Sequence, residues 1–271
     1  MDGQLSVLLT NDDGYDAPGI IALYEGLSNI ADVEIVAPVT DQSAVGRTLS
    51  TEVDIMEIAG GYAIDGTPSD CIIVGIEGLG LDPDIVVAGC NNGANLGSYV
   101  LGRSGTISAA IEATFFDIPS IAVSLYIPED EWPRDTDLDD YREAVKATRY
   151  LVSTGAVEDV FGDANYLNVN VPTPTPGPTP MELTRPSPIY NMGISQDGGS
   201  MRLIDENWSL MLDDATKDPP GTDRYAIANG RISVSPLAHS MTIDGHPTLH
   251  TVIEGYVDET ADPEGSVGHS D

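Results

Sequence analysis

Lysine is nearly absent from this chain: Lys146 and Lys217 are the only two in 271 residues. Lysine and arginine together number 11 against 44 aspartates and glutamates, a formal net charge of −33. A surface so poor in cations repels nucleic-acid backbones and anionic membranes. That excludes a role on a nucleic-acid polymer or a lipid surface, and it demands a local cation wherever a phosphorylated substrate is to bind. Cysteine is scarce too. Cys71 and Cys90 are the only two, and their separation fits neither a zinc site nor a redox pair. No apolar run approaches the roughly 20 residues that span a bilayer. The Met1-Asp2 start opens no basic-apolar signal segment, so a cytoplasmic protein is expected.

Apolar residues nevertheless make up 41% of the chain, which does not read as disorder. The length allows one large domain or two modest ones. Acidic excess on this scale resembles the composition of proteins from salt-loving microbes, where concentrated salt screens the repulsion. Loss of the fold on dialysis to low salt is the expected behaviour.

The chain is organised around residues 5–19. The apolar run Val7-Leu8-Leu9 ends abruptly in Asn11, Asp12 and Asp13; Gly14 allows a turn, and Pro18 opens a helical pattern. Two adjacent carboxylates thus sit where a strand hands over to a helix. In open α/β sheets ligands collect beyond the carboxyl ends of strands. Neighbouring carboxylates repel, which favours a proton or a cation between them. Asn-Asp-Asp-Gly is also good turn chemistry, so this stretch alone leaves a metal site and a plain turn both open.

Ile20, Leu23, Tyr24 and Leu27 recur at helical spacing, and Val33 to Ala37 forms a second apolar strand ended by Pro38. This β-α-β start argues a parallel sheet with a right-handed crossover. Ser43 and Arg47 fall in the next loop, on the same rim as Asp12 and Asp13. Short strands over 51–64 precede a helix that Thr67 or Ser69 would cap. Asp84 to Ala88 is another buried strand. Gly89 to Gly97 follows, carrying Asn91, Asn92 and Asn95 among its glycines. Asparagine offers a neutral oxygen suited to a hard cation, and glycines let backbone N–H groups converge on an anion. Ser104 is a natural cap for the helix beginning at Gly105-Thr106, whose free N–H groups and dipole suit a phosphate. A flexible glycine loop before a capped helix explains each part separately, but not three polar loops after three successive strands. Further strands are expected at 118–125, 166–171 and 232–234, with a helix from Tyr141 to about Ser153. The Pro/Thr-rich stretch 172–180 reads as the exit from a core domain.

Taken together these stretches resemble SurE, the survival protein E family of nucleotide phosphatases. The family's opening Thr-Asn-Asp-Asp-Gly stands at Thr10 to Gly14. Its Ala-Pro followed by Ser-Gly resembles Ala37-Pro38 and Ser43-Ala44, and its Gly-Thr-Pro-x-Asp-Cys matches Gly66 to Cys71. Its Ser-Gly-x-Asn-x-Gly-x-Asn-x-Gly resembles Ala88 to Gly97, and its Ser-Gly-Thr matches Ser104 to Thr106. Asn168-Val169-Asn170 with Pro172, and Ser233 to Leu237, look like its later strands. Ala44 and Ala88 replace the usual Gly and Ser, the spacer from Asn95 to Ser104 is one residue longer, and 181–221 aligns poorly.

The resemblance implies a Rossmann-like three-layer α/β/α fold with a mostly parallel central sheet. The core domain would span 1–172, with an extension, oligomerisation hairpin and returning strand over 173–256 and an acidic disordered tail over 257–271. It implies one divalent ion per subunit, Mg²⁺ or Mn²⁺, held by Asp12, Asp13, Ser43 and Asn91. It places a substrate phosphate near Asn11, Asn95, Ser104, Gly105 and Thr106. It implies hydrolysis of nucleoside 5′- and 3′-monophosphates by a homodimer or homotetramer. All-oxygen ligands suit Mg²⁺ or Mn²⁺ rather than tetrahedral zinc. Attack by a water that Asp12 deprotonates is the expected route. Covalent attack by an aspartate is the rival; the haloacid-dehalogenase pattern Asp-x-Asp fails, because Gly14 stands two residues past Asp12. A non-catalytic nucleotide sensor is the competing class. A dinucleotide oxidoreductase lacks Gly-x-Gly-x-x-Gly after the first strand. His246 and His250 have helical metal spacing, but Pro247 between them spoils a helix interior, so the histidines read as surface residues.

Overall fold

The computed structural model describes residues 4–128, 134–155, 158–174, 177, 179–206, 211, 218–240, 248, 252 and 253. Residues 1–239 form one compact unit and 240–271 a second, of which only Ser240, Thr248, Val252 and Ile253 are described. The segment expected to be a disordered tail, 257–271, lies outside the described residues, as do His246, His250 and His269.

The first unit is built on β1 (Ser6–Thr10), α1 (Pro18–Leu27), β2 (Asp32–Pro38), β3 (Ile55–Ile58), β4 (Gly61–Ile64), α2 (Pro68–Ile73), β5 (Ile85–Asn92), α3 (Ser98–Leu101), α4 (Gly105–Thr114), β6 (Ser120–Tyr126), α5 (Arg142–Gly155), β7 (Tyr166–Pro172), β8 (Met181–Leu183), β9 (Met192–Asp197), β10 (Ser200–Asp205), α6 (Asp223–Ala228) and β11 (Ile232–Leu237). The main sheet has nine strands in the order β3-β4-β2-β1-β5-β6-β7-β11-β8. From β4 to β7 all neighbours run parallel; β3 and β11 pair antiparallel with β4 and β7. The Rossmann-like architecture expected from the sequence is therefore present. The sheet also continues past Pro172, because β11 returns beside β7 and β8 runs parallel to β11. Strands β9 and β10 form a separate hairpin.

Strand alternation divides the core between two faces. Val7 and Leu9 join Ile20, Leu23 and Leu27 of α1 and Ala144, Ala147 and Leu151 of α5. Leu8 points the other way, to Cys71 and Ile72 of α2 and Ala109 and Ala113 of α4. Each such aliphatic side chain buried is worth roughly 1.5–3 kcal/mol, so a one-residue slip of β1 would expose both sets. Both cysteines are free and buried. Among the described residues, no helix is long and apolar enough to cross a membrane.

The helix starts follow local chemistry. Thr67 caps α2 with a reciprocal bond from its own N–H to Asp70. Ser104 caps α4, accepting from the Ile107 N–H at 3.1 Å. Pro18 opens α1 at the first turn, where its missing N–H costs nothing.

Candidate active site

After β1 the chain builds β2 on one side, and later β5 on the other. The carboxyl ends of β1 and β5 therefore flank a topological switch point, where a crevice forms in open α/β sheets. Asp12 and Asp13 leave the end of β1, and Gly14, at φ +107°, turns the chain towards α1 in a conformation that L side chains rarely adopt. The loop after β2 closes over them: the Gln42 N–H donates to the Asp12 carbonyl oxygen at 2.7 Å. Strand β5 runs further than the sequence suggests, through Asn92. Its register with β6 shifts between Ala88 and Asn91, where three residues of β5 span two of β6. Such a bulge re-aims the side chains that follow it, here Asn91 and Asn92 beside the acids.

A cavity of about 400 Å³ opens here, lined by Asp12, Ser43, Asn91, Asn95 and Ser104 among others. Five of the residues singled out from the sequence thus meet around one space. Asp13 does not itself line the cavity; it is tied to the lining residue Asn92, its Oδ2 accepting from that N–H at 2.9 Å. Asn11, Gly105 and Thr106 do not line the cavity. Asn11 is fully buried and its amide donates to the Gly14 carbonyl oxygen at 2.7 Å, which is a turn contact. The Thr106 hydroxyl donates to Asp12 Oδ1 at 2.6 Å, and the Thr106 backbone N–H also supports that carboxylate. The start of α4 is thus engaged first by Asp12. Gly105 permits this approach: a Cβ there would lie 2.8 Å from the Asp12 Cβ.

Burial pushes Asp12 well above the ordinary carboxylate range, against the pull of the Thr106 bonds. Burial and then the Asp12 charge push Asp13 up as well, and Asp41 adds a smaller repulsion on both. Among the described residues no Lys, Arg or His forms an ion pair with either acid. A buried and a half-buried carboxylate side by side, neither with a cationic partner, are expensive to ionise together without a cation. The surrounding donor set fits one. The Asn91 amide donates to the Gly93 carbonyl oxygen at 2.5 Å, leaving its Oδ1 as the free end. Asn92 Oδ1 and Asn11 Oδ1 are buried with no hydrogen-bond donor. The exposed Ser43 hydroxyl donates to Asp41 at 2.6 Å and keeps lone pairs to offer. Among the described residues no three His, Cys, Asp or Glu side chains converge; two carboxylates with neutral oxygens is a hard-cation set.

A second layer was not singled out from the sequence. Asn168 and Asn170 on β7 are fully buried. Asn170 Oδ1 accepts from the Asn95 N–H at 2.7 Å, and both amides donate to the Asn95 carbonyl oxygen, at 2.9 and 3.1 Å. The Asn95 side chain donates to Ser124 Oγ at 2.9 Å and to Thr106 Oγ1 at 3.4 Å. Neutral hydrogen bonds therefore run unbroken from β7 to Asp12. The far end of this loop is pinned by the Gly97 N–H to Asp223 at 2.7 Å. Arg47, expected on the rim, turns away to Glu112 at 3.2 Å and over the Phe115 ring. The cation that does line the cavity is Arg103. His239 is not a loose surface group; it packs on Phe115 and contacts the Thr114 hydroxyl.

The family model for survival protein SurE matches residues 7–190. The chain belongs to the SurE family. Among its relatives, the protein named 5′-nucleotidase SurE from Haloarcula marismortui is 51% identical over 93% of this chain and 95% of its own length. The one of the same name from Natronomonas pharaonis is 53% identical over 93% of this chain and its full length. The crystal structure of the SurE protein from Aquifex aeolicus superposes with a TM-score of 0.73 at 30% identity, covering 93% of this chain and 99% of that one.

Proposed function

We propose that this chain is a metal-dependent 5′-nucleotidase, a phosphatase that hydrolyses nucleoside 5′- and 3′-monophosphates to nucleoside and phosphate in the cytoplasm. The observation that carries the reading is Asp12 and Asp13 together: a buried and a half-buried acid without a cationic partner, at the crevice of the sheet, beside a cavity large enough for a nucleotide. The names of the relatives from Haloarcula and Natronomonas point the same way.

Asp12, Asp13, Ser43 and Asn91 would hold one Mg²⁺ or Mn²⁺. Bound there, the ion would supply Lewis-acid polarisation of a phosphoryl oxygen and offset the acidic field where a dianion must sit. The protein's own contributions follow from the contacts. Thr106 fixes the Asp12 carboxylate, and the Asn92 N–H fixes that of Asp13. Asp12, oriented by Thr106 at the cavity, is the carboxylate placed to accept a proton from an attacking water. The Ser104 hydroxyl at the cavity wall, which only accepts from Ile107, would donate to a phosphoryl oxygen, and such fixed donors carry much of phosphoryl transfer. Asn95, whose amide already donates to Ser124 and Thr106, would shape the wall beside it.

Phosphate release from a panel of nucleoside monophosphates, with and without Mn²⁺ in concentrated potassium chloride, tests the reading. Mn²⁺-dependent release is expected; a protein that binds nucleotides under these conditions and releases no phosphate would be a sensor instead. The hairpin β9–β10 is the proposed contact between subunits of a homodimer or homotetramer.

A further inference from the structure

The cavity has one feature that phosphoryl transfer leaves unused. Arg103 is exposed at its lining and is its sole cationic side chain among the described residues. Its position is set on two sides. The guanidinium carbon lies 3.8 Å from the centroid of the Tyr99 ring, and Nη1 donates to the Tyr99 carbonyl oxygen at 2.9 Å. Tyr99 is braced by Tyr190, edge to face, with centroids 4.5 Å apart at 62°. Val100, Tyr126 and Ile127 line the same cavity.

A guanidinium stacked on one ring offers a second planar face to another π system. The alternative task, drawing in the substrate phosphate by charge, suits this residue less well. In the concentrated salt that a net charge of −33 calls for, an exposed charge is screened within about 3 Å at 1 M. Stacking contacts act at van der Waals distance and survive that salt.

We infer that the Tyr99–Arg103 stack is the nucleobase platform of this cavity. The open face of the Arg103 guanidinium takes the base, with Val100 and Tyr126 as its apolar surroundings, while the phosphate lies towards Asp12. Arg103 is on this account a specificity-determining residue, and the inference rests on the nucleotidase reading above.

The test compares kcat/KM for AMP with that for ribose 5-phosphate, which has the same phosphate and sugar but no base. In wild type, Arg103→Ala and Arg103→Lys, both are measured with saturating Mn²⁺ in concentrated potassium chloride. The ratio of AMP to ribose 5-phosphate is expected to fall about tenfold in Arg103→Ala, the size of one base-stacking contact, and mainly through KM. Arg103→Lys keeps the charge but not the plane, so the same fall is expected there. A partly unfolded variant lowers both substrates together and leaves the ratio unmoved. If the ratio stays within twofold of wild type in both variants, or if lysine restores it, the platform is wrong while the nucleotidase reading stands. If wild type releases phosphate from neither compound, the nucleotidase reading falls and the platform with it.

Discussion

If Asp12 and Asp13 are the proposed metal pair, stability should respond to metal and pH together. Burial holds both acids above the ordinary carboxylate value of 3.8. An acid shifted upwards favours the fold while it is protonated. That contribution is complete below the unfolded value and is lost as the pH rises through the folded one. The metal-free protein should therefore lose stability on going from about pH 4 upwards through the raised values. A divalent cation reverses this, because it replaces the protons the pair would otherwise keep. Its affinity should climb about tenfold per pH unit for each proton released. At a free Mn²⁺ concentration one hundred times Kd the stabilisation is about 2.7 kcal/mol. For a unit of this size that raises Tm by roughly 5–10 °C. The assay is thermal unfolding of chelator-stripped protein in concentrated potassium chloride, with and without Mn²⁺, at about pH 5 and pH 8. The other acids also repel more strongly as the pH rises, so Asp13→Asn is the reference: it shares every one of them except this carboxylate. The Mn²⁺-induced rise should be larger at the higher pH, and in Asp13→Asn it should shrink at both, along with turnover at limiting Mn²⁺. An equal rise at both pH values, or in both proteins, would refute the claim that this pair is where proton and metal compete.

Two further outcomes are expected. Thr106→Val keeps shape but removes the hydroxyl that donates to Asp12 at 2.6 Å. A charge-assisted hydrogen bond of this kind is worth about 1.5–3 kcal/mol, so kcat/KM should fall roughly tenfold to a hundredfold, whereas Thr106→Ser should recover most of it; no recovery by serine would mean that packing matters rather than the bond. On the hairpin, Ile194 faces Leu203 across the strands, and both are exposed together with Met201. A double change to Ile194→Asp and Leu203→Asp should dissociate the oligomer in light scattering while phosphate release persists; an unchanged mass would move the subunit contact elsewhere.

What the sequence made legible was local chemistry. An apolar run ending in Asp12-Asp13 marks a strand end. Ser104 announces a helix start and caps it as read; of the two candidates for α2, Thr67 and Ser69, the cap is Thr67. The unread parts depend on contacts between distant residues. The bulge in β5 that aims Asn91 exists only relative to β6. Arg47 and Arg103 look alike in sequence, each a lone cation in a loop. Glu112, 65 residues away, draws one aside, while Tyr99 holds the other at the cavity. The α4 start read as an open phosphate site, but nothing local shows that Asp12 already occupies its Thr106 end. The alternation of Leu167-Asn168-Val169-Asn170 does not say that the asparagine face is buried, because its partner is the backbone of Asn95.

The supports of this site share a property that follows from the charge of the chain. Thr106, Asn95, Asn168, Asn170 and the Asn92 N–H hold the carboxylates and the cavity wall through neutral donors. Exposed ion pairs contribute little even in dilute buffer, and salt screens what they do contribute. Buried amide and hydroxyl bonds keep their strength because water and ions do not reach them. A lysine or arginine beside Asp12 and Asp13 would neutralise them permanently and close the place a metal would take. With neutral supports the acids stay unpaired, and the compensating charge has to come from solution as a proton or a cation. The scarcity of basic residues and the reading of a metal site are then one arrangement: geometry held by uncharged groups, and charge supplied from outside.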